Sequence, residues 1–240
     1  MRSFSRRAEP DDLPEKMDGE TSLDVYRGTL KSLARVNALT FGSRPQLSFL
    51  ERAIAHHTGD TPLTIVDIGS GYGDGARAMA TYLKKRKIPA RIIGVDLNPH
   101  AAQSASEVPF DGGALIELEW ATADVFDYIK TAGAPDLIVS ALFCHHLNSP
   151  DLPDFLRWMD RSAKRGWLIN DLYRSKVAAI GFGVLTTLFR FHPYVRHDGP
   201  VSFARSFRKP DWIQLLSEAS IEGAEIAIKA PFRMCIEKHV

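Results

Sequence analysis

The sequence predicts an α/β protein built on a mostly parallel sheet. Short runs rich in β-branched residues alternate with stretches of helical periodicity through the middle of the chain, which is typical of βαβ units. A glycine cluster follows the first of these runs, where a strand passes into a helix. The composition is that of an ordinary globular protein, with 45% hydrophobic and 25% charged residues among 240. Together these observations indicate one domain with a buried central sheet.

Each predicted strand corresponds to a short apolar run. The runs of the parallel part cover residues 63–68, 90–96, 117–121, 136–140 and 166–170. The helices that fit around them include 74–86, 152–163 and 211–219. Two more runs, 224–228 and 233–237, are separated by too few residues for a helical crossover, so we expect them to form an antiparallel hairpin.

The chain divides into a tail and a single domain with four parts. Residues 1–20 mix charged residues and proline without periodicity, which predicts a flexible tail. Apolar residues recur at helical spacing between 22 and 58, and Pro45 suits the first turn of a second helix there. The predicted parts of the domain, 21–240, are cap helices at 21–60, a ligand-binding core at 61–174, a lid insertion at 175–208, and a last helix with the hairpin at 209–240.

Charge and cysteine content argue against several classes of function. Thirty Lys and Arg against 29 Asp and Glu disfavour a protein with a strongly basic nucleic-acid-binding face. The two cysteines form neither a zinc motif nor a disulfide framework. The start of the chain has no apolar core of a secretory signal, and the longest apolar run, 177–189, is too short to span a bilayer. We expect a cytoplasmic protein with no nucleic-acid partner and no stable membrane insertion.

The turn after the first strand carries the main functional signal. Its residues, Asp67-Ile68-Gly69-Ser70-Gly71-Tyr72-Gly73, let the backbone bend tightly and approach a ligand. A dinucleotide would place its pyrophosphate on the following helix, where Asp67 would repel it. A ligand with an ammonium and a sulfonium would instead be attracted to this carboxylate. The loop also lacks the Lys-Ser/Thr of a nucleoside triphosphate site, so the sequence favours S-adenosyl-L-methionine over NAD or ATP.

Two acidic residues near the ends of the next strands fit the rest of an adenosyl ligand. Asp96 ends the second strand, where a carboxylate can accept hydrogen bonds from both hydroxyls of a ribose. Asp124 follows the third strand and can accept a hydrogen bond from an adenine amino group. Each residue has a simpler alternative as a helix cap or a solvated loop residue, and the sequence leaves these alternatives open.

In this order the motifs resemble the class I S-adenosylmethionine-dependent methyltransferase family, over about residues 61–240. The resemblance implies a Rossmann-like, doubly wound sheet of seven strands in the order 3-2-1-4-5-7-6, with the last strand antiparallel. It also implies that the glycines approach the methionine part of the cofactor, that Asp96 holds the ribose, and that Asp124 and Val125 border the adenine. The predicted cofactor-binding residues are Asp67, Gly69, Ser70, Gly71, Gly73, Asp96, Leu97, Asp124, Val125 and Ser140.

The candidate catalytic residues follow strands four and five, whose carboxyl ends face the ligand in open α/β sheets. We predict His145 as a general base and Asp171 as the carboxylate that orients it, an arrangement that recurs in acid–base sites. His146 is the second candidate for the base, and a histidine that only packs or caps a helix is the structural alternative. Cys144 is expected to be a small buried residue rather than a nucleophile, and no metal site is predicted.

The insertion at 175–208 predicts the nature of the acceptor. Its apolar run and the aromatic and cationic residues that follow suit a lid over a hydrophobic compound. The cap helices around Tyr26, Asn37 and Phe41 are expected to supply the other half of the cover. Core packing, a homodimer contact and a membrane-surface helix are alternative roles for the apolar run.

The sequence thus predicts methyl transfer to a small hydrophobic acceptor, first of all O-methylation of a phenolic, polyketide-like or lipid-like compound of secondary metabolism. C-methylation of a quinone or phenol ring is the alternative, because the same base can activate a phenol at carbon. An NAD-dependent oxidoreductase and a non-catalytic cofactor-binding protein are the alternatives from other classes. Methylation of nucleic-acid bases is disfavoured, because Ser140-Ala141-Leu142-Phe143 stands where that class has Asn/Asp-Pro-Pro-aromatic.

Overall fold

A computed structural model describes residues 4–55, 57, 59 and 61–240. The strands of this described part are β1 (Leu63–Ile68), β2 (Ala90–Asp96), β3 (Ile116–Thr122), β4 (Leu137–Ala141), β5 (Gly166–Leu172), β6 (Glu225–Lys229) and β7 (Arg233–His239). They form one sheet of order β3-β2-β1-β4-β5-β7-β6. Strands β1 to β5 run parallel, and β7 is antiparallel to both of its neighbours. The predicted fold class, strand order and closing hairpin are confirmed.

Helices cover both faces of the sheet. Within the described residues they are α1 (Leu23–Leu39), α2 (Arg44–Ala53), α3 (Asp74–Arg86), α4 (Pro99–Ser106), α5 (Val125–Ala132), α6 (Leu152–Ser162), α7 (Lys176–Leu188), α8 (Pro193–Arg205) and α9 (Lys209–Glu218). Pro45 lies in the first turn of α2, as predicted. None of these helices combines the length and the apolar character needed to cross a bilayer.

The central strands are buried on both faces, which explains why they appear in the sequence as continuous apolar runs. Neighbouring residues of β1 belong to different core clusters: Ile65 packs with α2 and α3, and Val66 packs with α6 and α9. Phe49 and Trp212 are fully buried anchors on these two sides. Removal of this apolar surface from water is the dominant favourable contribution to folding, and it fixes the strand ends that form the site.

The start of the chain, which the sequence predicts as a flexible tail, places charged side chains against the domain. The Arg7 guanidinium donates to the backbone carbonyls of Leu147 and Arg205. A short 3-10 helix, Lys16–Asp18, is held by the Asp198 carboxylate, which accepts from two of its backbone amides. Point contacts of this kind leave no periodic pattern in the sequence. Residues 1–3 of the predicted tail lie outside the described residues, as do residues 56, 58 and 60 of the predicted cap segment.

The predicted lid insertion consists of two helices, α7 and α8, which pack against each other. Phe182 of α7 lies 5.8 Å from Phe203 of α8, measured between ring centroids. The contact requires Gly199, because a Cβ atom there would lie 2.0 Å from the Phe182 ring. Residues of both helices line a cavity at the end of the sheet. The role of the two helices as a lid stays a prediction.

Gly73→Ala is expected to lower the free energy of unfolding by about 2–4 kcal/mol, because both the backbone conformation and a close contact disfavour a methyl group there. The backbone of Gly73 is left-handed, with φ +72°, and a Cβ atom would lie 2.1 Å from the Trp120 ring. Gly113 is a matched control, since it is also left-handed, with φ +60°, but has open space around it. Gly113→Ala should lose only on the order of 1 kcal/mol. Equal losses at both positions in urea denaturation would contradict the close contact with Trp120.

Candidate active site

A cavity of about 1270 Å³ opens where the parallel strands end. Ligands bind at this position in open α/β sheets. Its volume exceeds the upper range of ordinary single-ligand pockets, roughly 1,000 Å³, so it has room for two small molecules side by side. Nine of the predicted site residues lie on its wall: Asp67, Gly69, Ser70, Gly71, Asp96, Leu97, Asp124, Val125 and His145.

The glycine turn after β1 is tied to the end of β2. Gly69, Gly71 and Gly73 all have positive φ, a conformation that other residues rarely adopt. The backbone amide of Gly71 donates to Asp96 Oδ2 over 2.9 Å, so the turn and this carboxylate are fixed relative to each other. Gly73 differs from the prediction, because its open side faces Trp120 and it is not on the cavity wall.

Asp67 is a buried carboxyl on the cavity wall whose hydrogen bonding is incomplete. Its side chain is 2% exposed, and Oδ1 has no hydrogen-bond partner among the described residues. Burial, together with the neighbouring carboxylates of Asp74 and Asp96, raises the pKa of Asp67 to about 8. An ammonium group would supply both the missing hydrogen bond and the opposite charge, whereas a pyrophosphate would add repulsion. The Asp67 carboxylate therefore fits the ammonium group of an amino acid.

Asp96 is oriented by the backbone. Besides Gly71, the amide of Asn98 donates to it, at Oδ1 over 2.9 Å. Burial raises the pKa of Asp96, although the two amide hydrogen bonds act in the opposite direction. The carboxylate is thereby held in one orientation on the cavity wall, as a ribose-binding group requires.

Asp124 caps the N-terminus of α5, where its Oδ1 accepts from the backbone amide of Phe126 over 2.7 Å. The capping alternative is thus realised, and Asp124 lies on the cavity wall as well. The side chains of Leu97 and Phe126 are exposed on the same wall, at 73% and 37%. Two exposed apolar side chains beside a carboxylate form a surface that suits a planar aromatic base.

His145 and Asp171 form the predicted pair, and the pair is buried. His145 belongs to a short 3-10 helix after β4, and Asp171 lies in β5. The distance from His145 Nδ1 to Asp171 Oδ1 is 2.7 Å, and the His145 backbone amide donates to Oδ2 over 3.0 Å. Burial tends to raise the pKa of Asp171, but the charge and hydrogen bonds of His145, with the Leu172 amide, bring it below its usual range. An ionised carboxylate only accepts, so the Nδ1 proton is fixed and Nε2 is left as the basic nitrogen.

Two further charged residues surround His145. Glu15 Oε1 lies 3.8 Å from His145 Nε2, and the Glu15 side chain also accepts from Ser202 Oγ. Arg205 is 1% exposed and donates to the His145 carbonyl. Burial raises the pKa of Glu15 despite its neighbours His146, Arg205 and Ser202. The sequence analysis missed Glu15 and Arg205, because only tertiary packing brings them to the histidine.

Glu15, His145 and His146 bring three possible metal ligands together, with ligand atoms within 4.8 Å of one another. The sequence predicted no metal set. A cation is already in place, however, because the Arg205 guanidinium lies 3.5 Å from Glu15 Oε1 and 3.4 Å from His146 Nδ1. A second cation beside it would be repelled, and the geometry favours proton chemistry at these residues.

Cys144 and Ser140 lie beneath the site rather than in it. Cys144 is fully buried, and burial raises the pKa of its thiol well above the usual value. It therefore stays a neutral thiol, as expected of a packing residue. Ser140 differs from the prediction, because it is buried within β4 beside Cys144 and does not reach the cavity wall.

Apolar side chains from the cap helices and the insertion line the rest of the cavity. They are Leu30, Leu33, Val36, Phe182, Leu185 and Phe203, joined by Phe143 and Leu172 from the sheet end. Tyr26 and Asn37 lie on the wall as predicted. Phe41 does not, because its ring is half exposed and stacks with the Arg44 guanidinium instead.

Residues 65–166 match the family model that is described as a methyltransferase domain. This match coincides with the strands and turns that carry the cofactor candidates, and the sheet has the class I strand order. The core of the chain is thus similar to methyltransferase domains. The match supports an enzyme that transfers methyl groups. No curated protein matches the sequence at a significant level.

Solved methyltransferase structures share the fold. The plantazolicin methyltransferase BpumL, in complex with a triazolic desmethylPZN analog and SAH, matches with TM-score 0.63 and 15% identity, covering 90% of this chain and 95% of its own. A candidate O-methyltransferase from Nostoc punctiforme PCC 73102 has TM-score 0.57 and 16% identity over 86% of this chain, which spans only 59% of that protein. Magnesium protoporphyrin IX methyltransferase from Synechocystis PCC 6803, with bound SAH, has TM-score 0.52 and 14% identity, covering 92% and 89%. These likenesses show the fold of this chain and not its activity or its acceptor.

Proposed function

We propose that this methyltransferase transfers a methyl group to a hydroxyl of a small hydrophobic acceptor of phenolic, polyketide-like or lipid-like type. The observation that carries the proposal is the His145–Asp171 pair, whose histidine lines a largely apolar cavity that the cofactor candidates line as well. The BpumL structure supports it by analogy, since that relative binds SAH together with a triazolic desmethylPZN analog.

The cofactor would be held by the polar part of the cavity wall. Asp67 would bind the ammonium group, Asp96 the ribose, and Asp124 with Val125, Leu97 and Phe126 the adenine. When bound, S-adenosylmethionine supplies an electrophilic methyl group on a sulfonium. Gly69, Ser70 and Gly71 would allow the methionine part to approach the backbone. The SAH in the structures of two relatives supports this assignment.

The catalytic task of the chain is to align the hydroxyl and to take its proton. A phenolic hydroxyl has a pKa of about 10, so at neutral pH most of it is protonated and weakly nucleophilic. His145 Nε2 would accept the proton as the oxygen attacks, and the buried Asp171 carboxylate would stabilise the resulting imidazolium. Apolar side chains on the rest of the cavity wall would limit the access of water to the acceptor.

The lining of the cavity supports a hydrophobic acceptor. Phe182, Leu185 and Phe203 of the insertion line the cavity together with Leu30 and Leu33 of α1. A compound bound there would bury apolar surface, at about 25 cal/mol for each Å² removed from water. Ring C-methylation would use the same base and the same cavity, and product analysis distinguishes it.

A series of acceptors with labelled donor tests the proposal. We expect kcat/KM to rise along phenols with progressively longer alkyl chains, each buried methylene contributing about 0.8 kcal/mol at most. Water-soluble catechols and amines of similar size serve as the comparison compounds. Higher kcat/KM for the amines, or no dependence on chain length, would contradict the proposed acceptor class.

Binding of S-adenosylhomocysteine at pH 7 is expected to release about one proton from the protein. With a pKa of about 8, Asp67 is mostly protonated at pH 7 in the free enzyme and must ionise to pair with an ammonium group. Calorimetry in two buffers of different ionisation enthalpy measures the released proton. Asp67→Asn should abolish this release and weaken binding, and an unchanged proton count in this variant would contradict the assignment.

The same carboxyl should lower stability at higher pH. Its pKa is raised from 3.8 in the reference state to about 8 in the folded protein, so the unfolded chain loses this proton first and stability falls as the pH rises through this window. Without ligand, Asp67→Asn is therefore expected to raise Tm at pH 8 and to change it little at pH 4. A lower Tm at pH 8 would contradict this sign.

A further inference from the structure

The outer face of α7 is apolar and exposed. We call it the outer α7 stripe: it comprises Val177, Ile180, Val184 and Leu188, followed by Phe189, with exposed fractions between 57% and 74%. These residues follow one another at steps of three and four, so they share one side of the helix. A surface helix normally carries polar residues on that side. The opposite side of α7 lines the cavity through Phe182 and Leu185, so the helix is apolar on both sides.

Positive charge surrounds the stripe. Residues 172–197 contain four Lys or Arg and no Asp or Glu. Arg174 is buried and pairs with Asp211. The other three are exposed: Lys176 at the start of α7, Arg190 after its end, and Arg196 on α8 beside it. An apolar surface with a cationic rim is complementary to acyl chains beneath anionic headgroups.

A groove of about 500 Å³ runs along the same edge of α7. Its lining includes Ala179, Ile180 and Pro200, with Lys176 and Arg196 beside them. Like the outer α7 stripe, the groove combines an apolar surface with cationic residues at its edge. A partner with both an apolar chain and a negative head would match the stripe and the groove together.

We propose that the outer α7 stripe binds the surface of an anionic lipid bilayer, with α7 lying in the plane of the interface. At 13 residues the helix is shorter than a spanning helix, so it would bind to the interface and not cross it. As an extension that rests on the proposed function, an acceptor with a lipid-like tail would reach the cavity directly, because the inner side of the same helix forms the cavity wall.

A second copy of the chain is a less suitable occupant of the stripe. In a two-fold contact the two copies of α7 would pack on each other through the same residues. An antiparallel pair would bring Lys176 of one copy close to the partner's Arg190, and two like charges at this distance disfavour the contact. The positive rim therefore favours a negatively charged surface.

Co-sedimentation with vesicles tests the proposal without acceptor or cofactor. We expect the enzyme to bind vesicles of phosphatidylglycerol mixed with phosphatidylcholine at least about fivefold better than pure phosphatidylcholine vesicles, and less well at high salt. Val184→Glu combined with Leu188→Glu should reduce this binding by about tenfold or more. Ile213→Glu is the matched control, since Ile213 is 54% exposed on α9, and it should bind as the unchanged protein does.

Affinity for S-adenosylhomocysteine, measured for each variant, shows that the fold is intact and keeps this test separate from the proposed acceptor. No binding of the unchanged enzyme to the anionic vesicles, or equal binding to both vesicle types, would overturn the proposal. Equal loss in Ile213→Glu and in the double variant would also overturn it. A dimer in light scattering that the double variant abolishes would assign the stripe to a second copy instead.

Discussion

His145→Ala is expected to lower kcat by a factor of about 10²–10⁴, the usual contribution of a positioned general base, while the affinity for S-adenosylhomocysteine stays the same. The reason is that His145 lines the cavity, and Asp171 holds its imidazole through Nδ1, which leaves Nε2 as the basic nitrogen. Steady-state kinetics with the best phenolic acceptor measures the loss, and calorimetry measures the affinity.

A neighbouring histidine provides the control for this prediction. His146 stacks on His145 with ring centroids 4.3 Å apart, but its Nδ1 contacts Asp18 rather than a buried carboxylate of the sheet. His146→Ala should therefore change kcat much less. Asp171→Asn should lower kcat as well, because an amide no longer fixes the proton on Nδ1. In His145→Ala the rate should recover as the pH approaches the pKa of the phenol, because the phenol then ionises without a base. Full activity of this variant at neutral pH would contradict the assignment of His145 as the base.

Asp96→Ala is expected to weaken binding of S-adenosylhomocysteine by about 1–3 kcal/mol, or about 5- to 150-fold, through loss of charge-assisted hydrogen bonds to the ribose. The variant also removes the acceptor for the amides of Gly71 and Asn98, so the glycine turn loses its link to β2. Calorimetric titration measures the affinity directly.

Two variants separate the contributions within this prediction. Asp96→Asn keeps one oxygen that accepts from an amide, so its affinity should fall between those of the unchanged enzyme and Asp96→Ala. Asp127→Ala removes an exposed carboxylate that pairs with Lys130 on α5, and it should leave the affinity unchanged. Unchanged affinity in Asp96→Ala would remove the ribose assignment.

The central part of the fold is predictable because its information is local. Strands β1 and β2 and helix α3 begin and end where the sequence predicts, since strands buried on both faces need continuous apolar runs and the tight turn from β1 to α3 needs glycine. The last hairpin is predictable for a related reason: the four residues between its two apolar runs cannot contain a helix.

The residues that the sequence did not reveal depend on tertiary packing. Glu15 and Arg7 lie in a polar segment without periodicity, and both become ordered only because the site and α8 offer them partners. Gly73 and Ser140 show the opposite error: the sequence predicts both as cofactor-binding residues, but neither lines the cavity. A motif shows that a residue is near the site, but tertiary neighbours decide whether it contacts the cavity. Gly73, for example, packs against the Trp120 ring instead.

The position of the transferred methyl group tests the account most directly. S-adenosylmethionine labelled with ¹³C in its methyl group would be incubated with the enzyme and a long-chain phenol, and the product would be examined by NMR. The account predicts a labelled methoxy group, formed by the unchanged enzyme and nearly absent from the His145→Ala reaction at neutral pH. A labelled ring methyl or N-methyl group, or equal methoxy formation by both proteins, would contradict it.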